Sequence, residues 1–221
     1  MEEKKAAKKT VKKSPEEKIR EGYISYVLEH GKRPESIFKF VKGLKIKEED
    51  FYDSFNSFEN IEKHIWLSIF NDTLEVVKND SVYDEYSVRE KMLAFFYTFI
   101  EKLKGQRSYI LQTVPKKIRP ELTPSHLTEV RKAFKDWVSE LLLEGEETEE
   151  IENRPIIGKR YHEAIWLQFL FVIGFWIKDD SKGFEKTDAA IEKSVNLAFD
   201  LMGRGPLDAI VDFGKFLFQN R

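Results

Sequence analysis

Apolar residues recur along most of this chain at intervals of three and four, the period of a helix with one buried face. Ile19, Tyr23, Tyr26 and Val27 mark the first such stretch, which opens at Ser14-Pro15-Glu16-Glu17 and ends near Gly31. Ser14 suits the cap, Pro15 the first helical position, and the two glutamates the positive end of the helix dipole. Pro34-Glu35-Ser36 opens a second helix with Ile37, Phe40, Val41 and Leu44 on its stripe, and a short third helix covers residues 47–55. Ser57 and Glu59 start a fourth, in which Ile61, Ile65, Trp66, Ile69, Phe70, Leu74 and Val77 describe one long amphipathic rod ending at Lys78. Six more helices are predicted over residues 88–103, 107–117, 123–143, 159–177, 184–202 and 207–218. Gly105, Pro120, Pro124, the acidic segment 144–152, Pro155 to Gly158, 179–183 and Gly203 to Pro206 separate them. No stretch alternates with the period of a strand, and no fixed repeat is present. The pattern predicts an all-α fold of two unequal parts.

Composition agrees: 221 residues, 41% hydrophobic and 34% charged, with 11 Gly and 7 Pro, are too apolar for disorder and too poor in turn residues for an all-β protein. A net charge of -2 gives the whole molecule no general attraction for polyanions, so any nucleic-acid surface must be local. Zero cysteines exclude disulfides, thiolate metal sites and cysteine nucleophiles, and suit a reducing cytoplasm. Residues 1–14 form a basic arm carrying Lys4, Lys5, Lys8, Lys9, Lys12 and Lys13, without the apolar core of a secretory signal. The longest apolar run, Ala164 to Ile177, is broken by Gln168 and falls short of the roughly 20 residues that cross a bilayer. It reads as a buried helix of a cytoplasmic protein.

The most informative stretch runs from Ile37 to Ile61 and reads helix, tight turn, helix, aromatic pair, capped helix. Phe40, Val41, Leu44, Ile46, Phe51 and Phe55 can form a small core that fixes two short helices at a steep angle, leaving the second free to enter a major groove. Over about Glu17 to Trp66, and through Ile46, Phe51, Tyr52, Phe55 and Ile61 in particular, this arrangement resembles the DNA-binding unit of TetR-family regulators. The resemblance implies a helix-turn-helix domain at 15–60 and a helical ligand-binding and dimerisation domain at 61–221, linked by the long fourth helix. It also implies a DNA-contacting set of Ser36, Lys45, Lys47, Tyr52 and Ser54. Tyr52 and Ser36 would meet phosphates, and Lys45 and Lys47 phosphates or a guanine edge.

Four departures from the family pattern stand out. Lys45 replaces the usual turn glycine, Lys47 the usual serine cap, and Phe58 a common phosphate-anchoring lysine. Glu48, Glu49, Asp50 and Asp53 occupy the recognition helix, where they favour the dipole but repel phosphate.

In the larger part, Trp66, Phe70, Phe95, Phe96, Phe99, Trp137, Leu141, Trp166 and Phe169 lie on helical stripes. Such stripes usually face a core; by resemblance they line a pocket for a small hydrophobic ligand. The resemblance likewise assigns Tyr161 to Ile177 and Phe184 to Met202 to a two-fold homodimer contact, with operator DNA as the second partner. No cofactor or metal is expected. Catalysis has little support, because His30, His64, His126 and His162 are scattered; His162 reads as a hydrogen-bonded histidine between helices, and Asp179-Asp180-Ser181 as a helix end. Two readings follow: a one-component transcriptional regulator, or a TetR-fold carrier of lipid or another hydrophobic ligand that has lost DNA binding.

Overall fold

The computed structural model describes residues 14–114, 123–154, 157–203 and 205. Residues 1–13 of the predicted basic arm, the helix at 207–218, and Pro120, Pro155 and Ile156 lie outside them. Among the described residues the regular structure is entirely helical: α1 (Pro15–His30), α2 (Ile37–Leu44), α3 (Glu48–Ser54), α4 (Phe58–Lys78), α5 (Val88–Lys104), α6 (Arg107–Thr113), α7 (Thr128–Glu147), α8 (Tyr161–Lys178) and α9 (Glu185–Met202), with short 3-10 turns at Tyr83–Glu85, Ser125–Leu127, Gly158–Arg160 and Lys182–Phe184. The chain divides into two compact units, and the division falls inside α4, between Glu62 and Lys63.

The smaller unit folds because three short helices share one aromatic core. Ser14 and Glu17 cap α1 reciprocally, Ser14 Oγ accepting from the Glu17 N–H at 3.2 Å and Glu17 Oε2 from the Ser14 N–H at 2.9 Å. Ile19, Tyr23 and Val27 then face α2 and α3, burying Phe40, Val41, Phe51 and Phe55. Phe40 meets Phe51 edge-on with ring centres 6.5 Å apart, and Phe58 stacks on Tyr23 at 5.6 Å. Leu44 and Ile46, expected in this core, are half-buried at its rim. A β-carbon on Gly22 would lie 2.5 Å from Leu44 Cδ2, so the Leu44 side chain fills the space that this glycine leaves on α1.

In the larger unit α5 packs on α7 and α9, α7 on α8, and α8 on α9. Several helix boundaries differ from the sequence pattern, for local reasons. Helix α6 ends at Thr113 rather than 117, because Val114 precedes Pro115 and takes an extended backbone, φ -91 and ψ 133. Helix α7 begins after a 3-10 turn and runs on to Glu147, through the segment read as an acidic separator, because glutamate is a good helix former. Lys91, almost fully buried, fixes that last turn with a 2.6 Å bond to Glu144. Helices α8 and α9 likewise start one helical turn or less later than predicted, each after a 3-10 turn.

Two arginines finish the paired helices α8 and α9. Arg107 donates to the carbonyls of Trp176, Ile177 and Asp179 at 3.0, 3.4 and 3.2 Å. Arg154 donates to those of Leu201, Met202 and Gly203 at 3.0, 3.0 and 2.8 Å. Carbonyls that a helix leaves unpaired at its negative end thus face a positive charge.

Candidate functional site: a helix-turn-helix unit and an aromatic interior

Helix α3 is held by its neighbours on one side and open on the other. The turn before it closes through Lys45, whose φ of 55 and ψ of 42 lie in the left-handed region. Its N–H bonds back to Lys42 O at 3.2 Å, and the Ile46 N–H to Val41 O at 3.2 Å. Lysine occupies this conformation at a steric cost a glycine would avoid. At the start of α3 the missing serine cap is half replaced: Asp50 Oδ2 accepts the Lys47 N–H at 3.1 Å. Asp50, which the sequence placed among residues opposing phosphate, is therefore also a capping residue.

The candidate contact residues divide by position. Tyr52 is 54% exposed, with its ring edge-on to buried Phe51. Ser36 caps α2, its Oγ accepting the Lys39 N–H at 3.3 Å. Lys45 is exposed at the turn, and Lys47 Nζ bonds Glu49 Oε1 at 2.7 Å. Ser54 donates to Asp50 O at 3.2 Å, which is a helix-internal role. Glu48, Glu49 and Asp53 are exposed on α3, while Lys39, Lys42 and Lys45 are exposed along α2 and the turn. The outward surface is thus basic on one helix and acidic on the next, with Tyr52 on the acidic one.

The nine candidate ligand residues are all in the interior of the larger unit, each at most 3% exposed. Phe95 stands 4.5 Å from Trp137 between ring centres, Phe134 4.8 Å from Phe169, Phe99 5.2 Å from Phe169 and Phe70 5.6 Å from Phe95. Phe96 lies 5.5 Å from Phe95, Leu141 is buried on α7, and Trp66 stands 5.3 Å from His126. Phe134, which the sequence reading passed over, joins α5, α7 and α8 through contacts with Phe95, Trp137, Trp166 and Phe169; its place on the α7 stripe was the signal. Beside this cluster, the α7–α8 seam is polar. Arg131 and Lys135 both donate to the carboxylate of Glu163, Arg131 at 2.8 Å. The bond from Lys135 leads the influences that hold the Glu163 carboxyl below its usual range, ahead of that from Arg131. Ser139 Oγ donates to Lys135 O at 2.8 Å, and His162 Nε2 lies 3.0 Å from Ser139 Oγ. Ser139 on α7 is thereby linked to His162 on α8.

Asp179 accepts from the backbone and side chain of Ser181 at 2.8 and 2.6 Å and from those of Thr187 at 2.9 and 2.6 Å. Burial pushes its carboxyl up, but the four hydrogen bonds outweigh this and hold it well below the usual carboxylate range. It caps the start of α9, as expected of a helix end. Among the described residues no group of three His, Asp or Glu side chains could hold a metal ion, and no helix is long and apolar enough to cross a membrane.

The family model for the tetracyclin repressor-like C-terminal domain matches residues 91–217, more than half of the 221-residue chain. The chain belongs to the TetR family of transcription regulators. Among solved structures, the TetR-like fold recurs in a proposed TetR-family transcription regulator from Shewanella sp. PV-4, at 12% identity and a TM-score of 0.59, over 86% of this chain and 98% of that one. A protein of unknown function from Rhodococcus sp. RHA1 matches at 11% identity and a TM-score of 0.58, over 90% of this chain and all of its own. At such identities the likeness is one of fold. No curated protein matches the sequence. The family match lies within the larger unit of this TetR-family chain, whereas the sequence motifs lay in or near the smaller one.

Proposed function

We propose that this TetR-family protein binds operator DNA as a homodimer through its helix-turn-helix unit and is released or retuned by a small hydrophobic ligand in the larger unit. The observation that carries this reading is the presentation of α3. Phe51 and Phe55 bury one side of the helix, leaving Tyr52 outward beside a turn bearing Lys42 and Lys45. A tyrosine hydroxyl and exposed lysines are phosphate-binding groups. The exposed carboxylates of α3 lower affinity for the backbone, but a Glu or Asp in a major groove can accept from the exocyclic amine of cytosine.

Exposed apolar residues support the dimer. Leu167 and Phe171 on α8, and Leu197 and Leu201 on α9, face solvent, Phe171 at 49% and Leu197 at 60% exposure. Leu167, Leu170, Phe171, Gly174 and Phe175 also floor an open groove of about 390 Å³. A second copy packing α8 and α9 against their counterparts would cover this surface.

The alternative, a carrier of lipid or another hydrophobic ligand without DNA binding, is favoured by Glu48, Glu49 and Asp53 standing exposed on the helix that would enter the groove. A mobility-shift assay on the DNA upstream of the protein's own coding region, at defined salt, separates the two. Retardation that weakens in Tyr52→Ala and Lys47→Ala supports the regulator. Absence of salt-dependent binding to that DNA and to random duplex overturns it in favour of the carrier.

A further inference from the structure

Several nitrogens of the larger unit are buried without an acceptor, the indole nitrogens of Trp137 and Trp176 among them, but two of them belong to side chains in direct contact. Nε of Arg131 and Nε1 of Trp166 are both shielded from solvent and hydrogen-bonded to nothing among the described residues. They belong to neighbouring side chains, the Arg131 guanidinium lying over the Trp166 ring at 5.8 Å. A buried N–H without a partner is disfavoured, so an acceptor supplied at this point would be bound selectively. The charges here point the same way. Arg131 and Lys135, 37% and 30% exposed, share the single carboxylate of Glu163, which leaves the group with one excess positive charge in a half-buried seam. Arg131 places one terminal nitrogen on Glu163 and the other on Thr123 Oγ1 at 3.1 Å, and its Nε is buried without an acceptor.

Apolar surface adjoins these donors. Trp166 stacks on Phe169 at 5.1 Å and meets Phe134 at 5.7 Å. We infer that Arg131 and Trp166 form the head-group site for an apolar monocarboxylate, whose carboxylate accepts from Arg131 Nε and Trp166 Nε1 while its hydrocarbon body lies against Phe134 and Phe169. The two side chains supply hydrogen bonds and charge, the rings supply burial, and the carboxylate neutralises the excess charge beside Glu163. Because the rings are in mutual contact, the hydrocarbon enters by parting them. This inference rests on the ligand-responsive reading of the larger unit and names its ligand class. It does not depend on DNA binding, so loss of DNA binding would leave the test below untouched.

The test is a titration of the full chain, with indole nitrogens labelled by ¹⁵N, by decanoate and separately by decanol, followed by nuclear magnetic resonance. Trp166→Phe identifies the Trp166 indole signal, and the Trp176 signal serves as an internal control. Decanoate should move the Trp166 indole N–H saturably, with decanol much weaker and Trp176 nearly still. Arg131→Gln should weaken decanoate by about tenfold or more, as expected when a charge-assisted hydrogen bond is lost. Equal affinity for decanoate and decanol, unchanged affinity in Arg131→Gln, or a Trp166 signal that stays fixed to millimolar decanoate would each overturn the assignment.

Discussion

The Tyr23 hydroxyl donates a 2.6 Å hydrogen bond to Glu62 Oε1, the same oxygen that accepts from Arg33 Nε at 2.7 Å. Glu62 is only 3% exposed, and a second Arg33 nitrogen bonds its other oxygen. A carboxylate buried this deeply survives because it is paired and its lone pairs are used. The three residues come from α1, the segment before α2, and α4, so one side chain of α4 ties together the elements that position α3.

Removing that carboxylate leaves a phenol and a guanidinium without their partner. Glu62→Ala should destabilise the protein by about 2 kcal/mol or more, and Tyr23→Phe by about 1 kcal/mol. Because the two share one oxygen, the double variant should lose less than the sum of the singles. Urea unfolding of the three variants measures this, and strict additivity would show that the contacts act independently.

Lys45 separates fold from function. Its left-handed backbone favours glycine, so Lys45→Gly should raise stability by about 1 kcal/mol. If the exposed ammonium meets phosphate in the operator complex, the same variant should bind DNA more weakly and with a shallower salt slope. Thermal unfolding and a DNA titration on one preparation should therefore move in opposite directions.

The hydrogen bonds to Asp179 make acid stability a readout of the α9 cap. Its carboxyl is depressed, so the stability it contributes is present above the ordinary aspartate value, about 3.9, and is lost as pH falls through the lower folded value. Asp179→Asn should be less stable than the parent by a constant margin near neutrality. That margin should close below about pH 4 in acid-titrated denaturation curves. A margin that persists unchanged to pH 2 would assign the loss to packing instead.

For the proposed dimer, Phe171→Glu and Leu197→Glu place charge on the exposed faces of α8 and α9. Either should shift sedimentation toward monomer while leaving the helical circular dichroism in place, since neither side chain belongs to the buried core. Unchanged sedimentation of both variants would move the dimer contact elsewhere.

What the sequence disclosed was chiefly local. The 3.6-residue period located every helix from α1 to α9, and Ser14, Ser36 and Gly31 cap as their residue types suggest, Gly31 with φ 69. The TetR resemblance rested on Phe51, Tyr52 and Phe55, and the structure gives these three the division between buried and exposed positions that a helix-turn-helix requires. Relations between distant residues were not legible. Nothing near Glu62 in the chain announces Arg33 or Tyr23 as its partners, and nothing near Arg107 or Arg154 announces the ends of α8 and α9 as theirs. The run Glu144-Gly145-Glu146-Glu147 reads as loop because charge and glycine suggest one; the pairing of Glu144 with Lys91, and Ile151 seated where a Gly145 side chain would stand, explain why it is helix. In the aromatic interior the stripes revealed which rings would be buried. The unsatisfied donors of Arg131 and Trp166 emerge only once neighbouring helices are packed.

The proposed entry of α3 into DNA is decided by the dependence of operator affinity on salt, measured by fluorescence anisotropy for the parent chain and for Tyr52→Ala. Log affinity should fall linearly with log salt for the parent, and Tyr52→Ala should lower affinity while leaving the melting temperature within a few degrees of the parent. No binding at low salt, or binding that neither salt nor Tyr52→Ala alters, would contradict it.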